Sequence, residues 1–195
     1  MKIETIEIAG IAGALTALRL PFGKERRSTA NYIYGWHPMS LYDTETGDKK
    51  GDYNGFFSET YIVPNPLDLQ LMTTLIKRGD EHAKVVRGIN VWAKITAPVY
   101  WWAEEETYRA GHERLASEST MHIDVRGLSG EELQRAKAAI PMGKELTKVD
   151  MFSYQCLRNI VRQRHNHRLI EWHEFVDWIR TLPLSDELIF TGLEI

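Results

Sequence analysis

A single cysteine, Cys156, in 195 residues excludes an intramolecular disulfide and any cysteine-rich metal centre. No stretch reaches the roughly 18 consecutive apolar residues of a membrane helix. The opening MKIETIEIAG alternates Ile3, Thr5 and Glu7 with Glu4, Ile6 and Ile8, which is not the apolar run of an export signal. The expectation is a cytoplasmic chain with no membrane partner. A formal net charge of −3 supplies no global field that draws nucleic acid, so nucleic acid is not an expected partner and any anion site must be local. A Gly-rich phosphate loop of the Walker or dinucleotide type is missing, as are internal repeats and low-complexity tracts.

What is present is the composition of an ordinary globular chain, 43% hydrophobic and 26% charged. Its length predicts a single domain over 1–195, with a loop-rich insertion at about 22–60, where Gly35, Pro38, Gly47, Gly51 and Gly55 interrupt the pattern. Ile3, Thr5, Ile6 and Ile8 predict a strand over 2–8, Leu15 and Leu18 a short helix stopped by Pro21, and Phe57 to Val63 a further strand. Leu67, Leu71 and Leu75, with Met72 and Ile76, make a helical stripe ended by Gly79, and Val85 to Ala97 reads as a buried strand. Pro98 suits the first turn of a helix on which Trp101, Glu105, Tyr108 and His112 lie at near-helical spacing. Ser129 with Glu132 is a capping-box signature, and the C-terminal third reads as helical, Met151 to about Arg164 and Glu171 to about Arg180. The fold class is α+β.

Chemistry concentrates in TAPVYWWAEEETYRAGHERLASESTMH, Thr96 to His122, which gathers two tryptophans, two tyrosines, two arginines and two histidines among glutamates. Aromatic rings stack on flat bases, and Arg109 and Arg114 match phosphate or carboxylate oxygens. That mixture suits a nucleotide or another anionic small molecule. The competing reading places Trp101, Trp102 and Tyr108 in the core, with the charges solvating the other face.

The order of residues in this segment resembles flavin-dependent thymidylate synthases, in which a strand and an Ala-Pro-like helix start precede Arg-His-Arg, seven residues and a serine. Here the stretch is His112-Glu113-Arg114, then LASESTM, then His122. Carried over by position, Arg114 takes the place of the second arginine and Ser117 that of the inner serine, both near substrate or flavin phosphates. His112 stands for the first arginine, Glu113 for the histidine and His122 for the serine that contacts the nucleotide. Glu113 is acceptor-only when ionised, where the residue it replaces donates. Trp102, Arg109 and Ser119 complete the candidate ligand-binding set in this segment. SYQCLRNIVRQR, Ser153 to Arg164, is laid out like the family's Asn-x-Arg-x-Leu helix with its closing arginine; Leu157 and Arg164 match, and Ser153 and Gln155 depart. The helix, turn and strand of residues 67–95 are arranged as in the family too. The resemblance implies a mixed or antiparallel sheet packed with helices, FAD as cofactor of an active member, and a homotetramer with shared sites.

Arg158 and Arg162, four apart on one helical face, with Arg164 following, form a candidate anion pocket; arginines near a helix C-terminus also serve simply to complement its dipole. From AGALTALRLPFGKE through STMH to RQRHNHRLIEWHEF the chain is similar to proteins carried by bacteriophages and prophages, which places it in the cytoplasm of an infected bacterial host. His165, His167 and His173 make a poor metal site on a helix, and no metal is expected. The motif's departures favour a non-catalytic nucleotide-binding protein over an active flavoenzyme acting on a pyrimidine nucleotide or a structural, protein-interaction role.

Overall fold

The computed structural model describes residues 1–22, 31–35, 39–42, 49–53, 59–64 and 66–195. In chain order its elements are β1 (Lys2–Ala9), α1 (Ile11–Arg19), β2 (Asn31–Gly35), β3 (Met39–Tyr42), β4 (Lys49–Tyr53), β5 (Glu59–Val63) and α2 (Pro66–Lys77). There follow β6 (Asn90–Pro98), α3 (Val99–Glu105), β7 (His112–Ser117), α4 (Thr120–Ile123), α5 (Gly130–Ala138), β8 (Glu145–Ser153), α6 (Tyr154–Arg164) and α7 (Ile170–Arg180). They form two compact units, Ile11–Gln70 and Met1–Gly10 with Leu71–Ile195.

In the smaller unit α1 buries Ala14, Leu15 and Leu18, and Arg19 is ion-paired with the buried carboxylate of Asp68. Two antiparallel ribbons, β2 with β5 and β3 with β4, occupy the loop-rich insertion. Residues 23–30, 36–38, 43–48 and 54–58, including Phe57 at the start of one expected strand, lie outside the described residues.

The larger unit is built on an antiparallel four-stranded sheet of order β1-β6-β8-β7. Alternate residues of a strand share a face, and β6 turns Val91, Ala93, Ile95 and Ala97 inward, all without exposed surface. Trp101 of α3 and Trp172 and Phe175 of α7 pack together, with ring centroids 5.0 and 5.4 Å from Trp101, and Tyr154, Leu157, Ile160 and Val161 of α6 are buried as well. Large aromatic clusters of this kind carry much of a core's apolar burial.

Three elements differ from the sequence reading. Val85 and Val86 sit in a buried 3-10 turn at Lys84–Arg87, and the strand starts only at Asn90. The helix after Pro98 ends at Glu105, and His112 opens a strand. Glu145–Ser153 is a strand, where Met151 was expected to start a helix; the helix begins at Tyr154, with the Ser153 hydroxyl accepting from Cys156 N at 3.1 Å. At α5, Ser129 holds the N-cap position without a side-chain capping bond.

Gly111 is the turn residue immediately before β7. Its φ is +78°, and a Cβ there would lie 2.2 Å from the Ser153 hydroxyl; its carbonyl accepts from Ser153 N at 2.7 Å. Only glycine combines this left-handed backbone with so close a neighbour. Gly111→Ala is therefore expected to lower unfolding free energy by about 2–3 kcal/mol, read from urea denaturation, with Gly127→Ala, which meets open space at a similar positive φ, losing less.

Candidate functional site

The tight turn at Gly111 brings α3 and β7 against β8. The β7–β8 register sets His112 opposite Phe152 and Arg114 opposite Asp150, so these side chains enter the same inner face as Lys148. Glu105, the last residue of α3, joins them fully buried, as does Asp150. An unpaired carboxylate in such a place is strongly disfavoured, and Arg114 answers both. Its Nε and Nη2 donate to the two oxygens of Asp150, each at 3.1 Å, Nη2 also to Glu105 at 2.8 Å, and Nη1 to Glu106 at 2.5 Å. Lys148 donates to Glu106 at 3.0 Å, and the Trp102 ring lies 5.1 Å from the Arg114 guanidinium and 4.4 Å from the Lys148 ammonium, within cation–π range.

His112 is held on three sides. Its ring stacks on Phe152 with centroids 4.6 Å apart. Nδ1 lies 2.9 Å from the Tyr108 carbonyl, which only accepts, so Nδ1 carries a proton. Nε2 then faces Glu105 Oε1 at 3.2 Å and Asp150 Oδ2 at 3.3 Å, and neither Nε2 nor Oε1 has an aligned hydrogen-bond partner. Burial pushes the Glu105 carboxyl up to about 7, against the pull of His112 and Arg114. Burial opposes charge on His112, but the Asp150 and Glu105 carboxylates outweigh it and raise its pKa. Asp150 is likewise disfavoured by burial, yet His112 and Arg114 hold it below the ordinary carboxylate range.

Of the residues singled out in the sequence, Trp102, His112 and Arg114 meet in this cluster. Glu113 points to the opposite face of β7 and is exposed, as are Arg109 and His122, and Arg109 has no polar partner among the described residues. Ser117, exposed, donates to the Glu118 carbonyl at 3.0 Å. Ser119 is half-buried at the N-cap of α4. The three arginines of α6 diverge. Arg158 is buried and donates to the carbonyls of Ile189 and Thr191 at 2.6 and 2.7 Å; Arg162 pairs with Asp80 at 3.1 Å. Arg164 donates to the Tyr108 hydroxyl at 2.7 Å and to Glu104 at 2.9 Å and lies over the Trp172 ring. Sequence reasoning missed Glu105, Lys148 and Asp150. The available signal was the Lys148–Asp150 pair at spacing two, inside a run that otherwise reads as a strand.

No protein-family model and no curated protein sequence matches the chain. Solved structures match over its whole length. Thymidylate synthase X from Helicobacter pylori with FAD and dUMP aligns with a TM-score of 0.67 at 11% identity over 100% of both chains. A second structure, flavin dependent thymidylate synthase from the same organism complexed with FAD and dUMP, gives 0.65 at 11% over 99% of both. A UMP/dUMP methylase from Streptomyces cacaoi bound with 5-Br dUMP gives 0.59 at 10% over 99% of this chain and 93% of its own. The chain thus has the α+β fold of thymidylate synthase X.

Two outcomes follow from the cluster's electrostatics. His112 keeps its proton to higher pH folded than unfolded, so its contribution is complete below about 6.5 and fades as pH rises through the folded value. Glu105 acts in the same sense, being protonated up to about 7 when folded and ionising at about 4.3 when unfolded. The melting temperature in metal-free buffer is expected to fall from about pH 5.5 to about pH 8, and Glu105→Gln to flatten that slope. Arg114→Ala strands two buried carboxylates and is expected to cost about 3–5 kcal/mol by denaturant titration.

Proposed function

We propose that this chain is a nucleotide-binding protein on the thymidylate synthase X fold that does not carry out flavin-dependent methylation, and that in a bacteriophage setting it sequesters a host nucleotide or nucleotide signal. The observation that carries this reading is the state of Arg114. At the position of the resembled family's second arginine, each of its three guanidinium nitrogens is bound to a carboxylate of its own chain. Four of its five N–H donors are thereby taken, which leaves little for a flavin or substrate phosphate there.

Nucleotide binding is supported by the matched structures, two described with dUMP and one with 5-Br dUMP. Arg109, exposed and unpaired among the described residues and three residues before His112 in the chain, is a guanidinium open to an incoming anion. Ser117, Ser119 and His122 offer hydroxyls and an imidazole at the far end of β7. The residues present do not fit FAD as the resemblance places it, because Arg114 is occupied and Glu113 presents an exposed carboxylate that repels phosphate. A homo-oligomer, a tetramer as in the resembled enzymes, belongs to this reading, since a partner subunit can complete a site that one chain leaves open.

The second reading, an active flavoenzyme modifying a pyrimidine nucleotide, is favoured by the FAD in two of the matched structures. Absorbance of the purified protein and mass spectrometry of copurifying small molecules separate the two. The expected result is a colourless protein, a melting temperature raised by dUMP or a related nucleotide, and affinity weakened about tenfold in Arg109→Ala, the worth of one charge-assisted contact. A yellow protein whose NADPH oxidation is stimulated by dUMP establishes the flavoenzyme. A colourless protein that no nucleotide stabilises removes both and leaves a structural role.

A further inference from the structure

We infer that His112, Glu105 and Asp150 form a binding site for a divalent transition-metal ion. The inference stands apart from the nucleotide reading and rests on an arrangement that is incomplete without a cation. With Nδ1 donating to the Tyr108 carbonyl, His112 presents Nε2 to Glu105 Oε1 and Asp150 Oδ2, at 3.2 and 3.3 Å. Two carboxylate oxygens facing Nε2 call for a cation there, a proton or a metal ion, and neither Nε2 nor Oε1 is aligned for a hydrogen bond, although the Glu105 and His112 side chains are at least nine-tenths buried.

The geometry is that of a metal's donors. Bonds of about 2.0 Å in a tetrahedral site put neighbouring donor atoms about 3.3 Å apart, the spacing of Nε2 from each carboxylate oxygen, and all three candidate donors lie within 4.8 Å of one another. The surroundings follow the same logic. Metal-bound imidazoles donate their second nitrogen to a carbonyl or carboxylate, and ligating carboxylates are themselves hydrogen-bonded. Tyr108 supplies the first of these and Arg114 the second, binding Glu105 through Oε2 and leaving Oε1 free. Charge permits it once Glu105 is ionised and His112 neutral, because three carboxylates, Glu105, Glu106 and Asp150, then face two cations, Arg114 and Lys148, and an entering cation meets a net negative site. One imidazole with two carboxylates suits zinc and its neighbours in the first transition row and leaves a fourth position for water.

The test uses metal-free full-length protein at neutral pH. Calorimetric titration with zinc is expected to show one site per chain, with proton release where His112 starts protonated, and cobalt(II) to develop the intense visible bands of tetrahedral coordination. His112→Asn, confirmed folded by circular dichroism, is expected to bind zinc about a hundredfold more weakly or not at all. Histidine NMR of the wild-type chain reads the same site without a variant, since zinc must shift the His112 ring. Zinc affinity unchanged in His112→Asn assigns the ion to another group, such as His167 and His173, and overturns the inference. So does a His112 that stays doubly protonated in the presence of zinc, because the cation there is then a proton.

Discussion

The constraint on which the larger unit depends is the burial of Asp150 in the sheet. A carboxylate with no exposed surface at the middle of a strand must be neutralised in place, and the Arg114 guanidinium from the neighbouring strand does so with two parallel contacts. That pairing fixes more than charge. It sets which face of β7 points inward, and with it the position of His112, stacked one pair further along. Glu105 then has to be where α3 stops, and Gly111 has to turn the chain within a few residues.

The same constraint explains what was legible in the sequence and what was not. Helices α2 and α7 follow apolar patterns at the helical period and β1 is marked by its β-branched residues, and the structure has all three within a residue or two of the reading. Strand β8 was hidden because Lys148 and Asp150 stand where apolar residues normally face inward, so the alternation that marks a strand was masked by the charges that matter most. Tyr108 and His112 share a helical phase with Trp101 and Glu105, yet the helix stops at Glu105 and Gly111 turns the chain into β7, and phase alone cannot register a backbone turn. In the site, Trp102, His112 and Arg114 were legible as a dense local cluster. Glu105 and Asp150 were not, because their role comes from contacts made across the fold.

A fold shared at 11% identity shows how far sequence can vary on one scaffold. The sheet requires inward apolar positions on β6 and a compensated charge on β8. It does not dictate what lies between Glu105 and His112. In this chain Arg114 is held by Asp150, Glu105 and Glu106, and His112 Nε2 beside it is left without a hydrogen bond.

One further property lies in the sheet's register. The central pair, β6 with β8, runs without interruption, whereas each outer strand is irregular, β1 between Thr5 and Glu7 and β7 between Arg114 and Ala116. Outer strands present unpaired amides that template the addition of other chains, and a local break in pleat spoils that template. The irregularity beside Arg114 therefore guards solubility at the margin of the sheet. Smoothing it would set the Leu115 side chain, already exposed, on a flat adhesive border, turning a folding feature into an aggregation hazard.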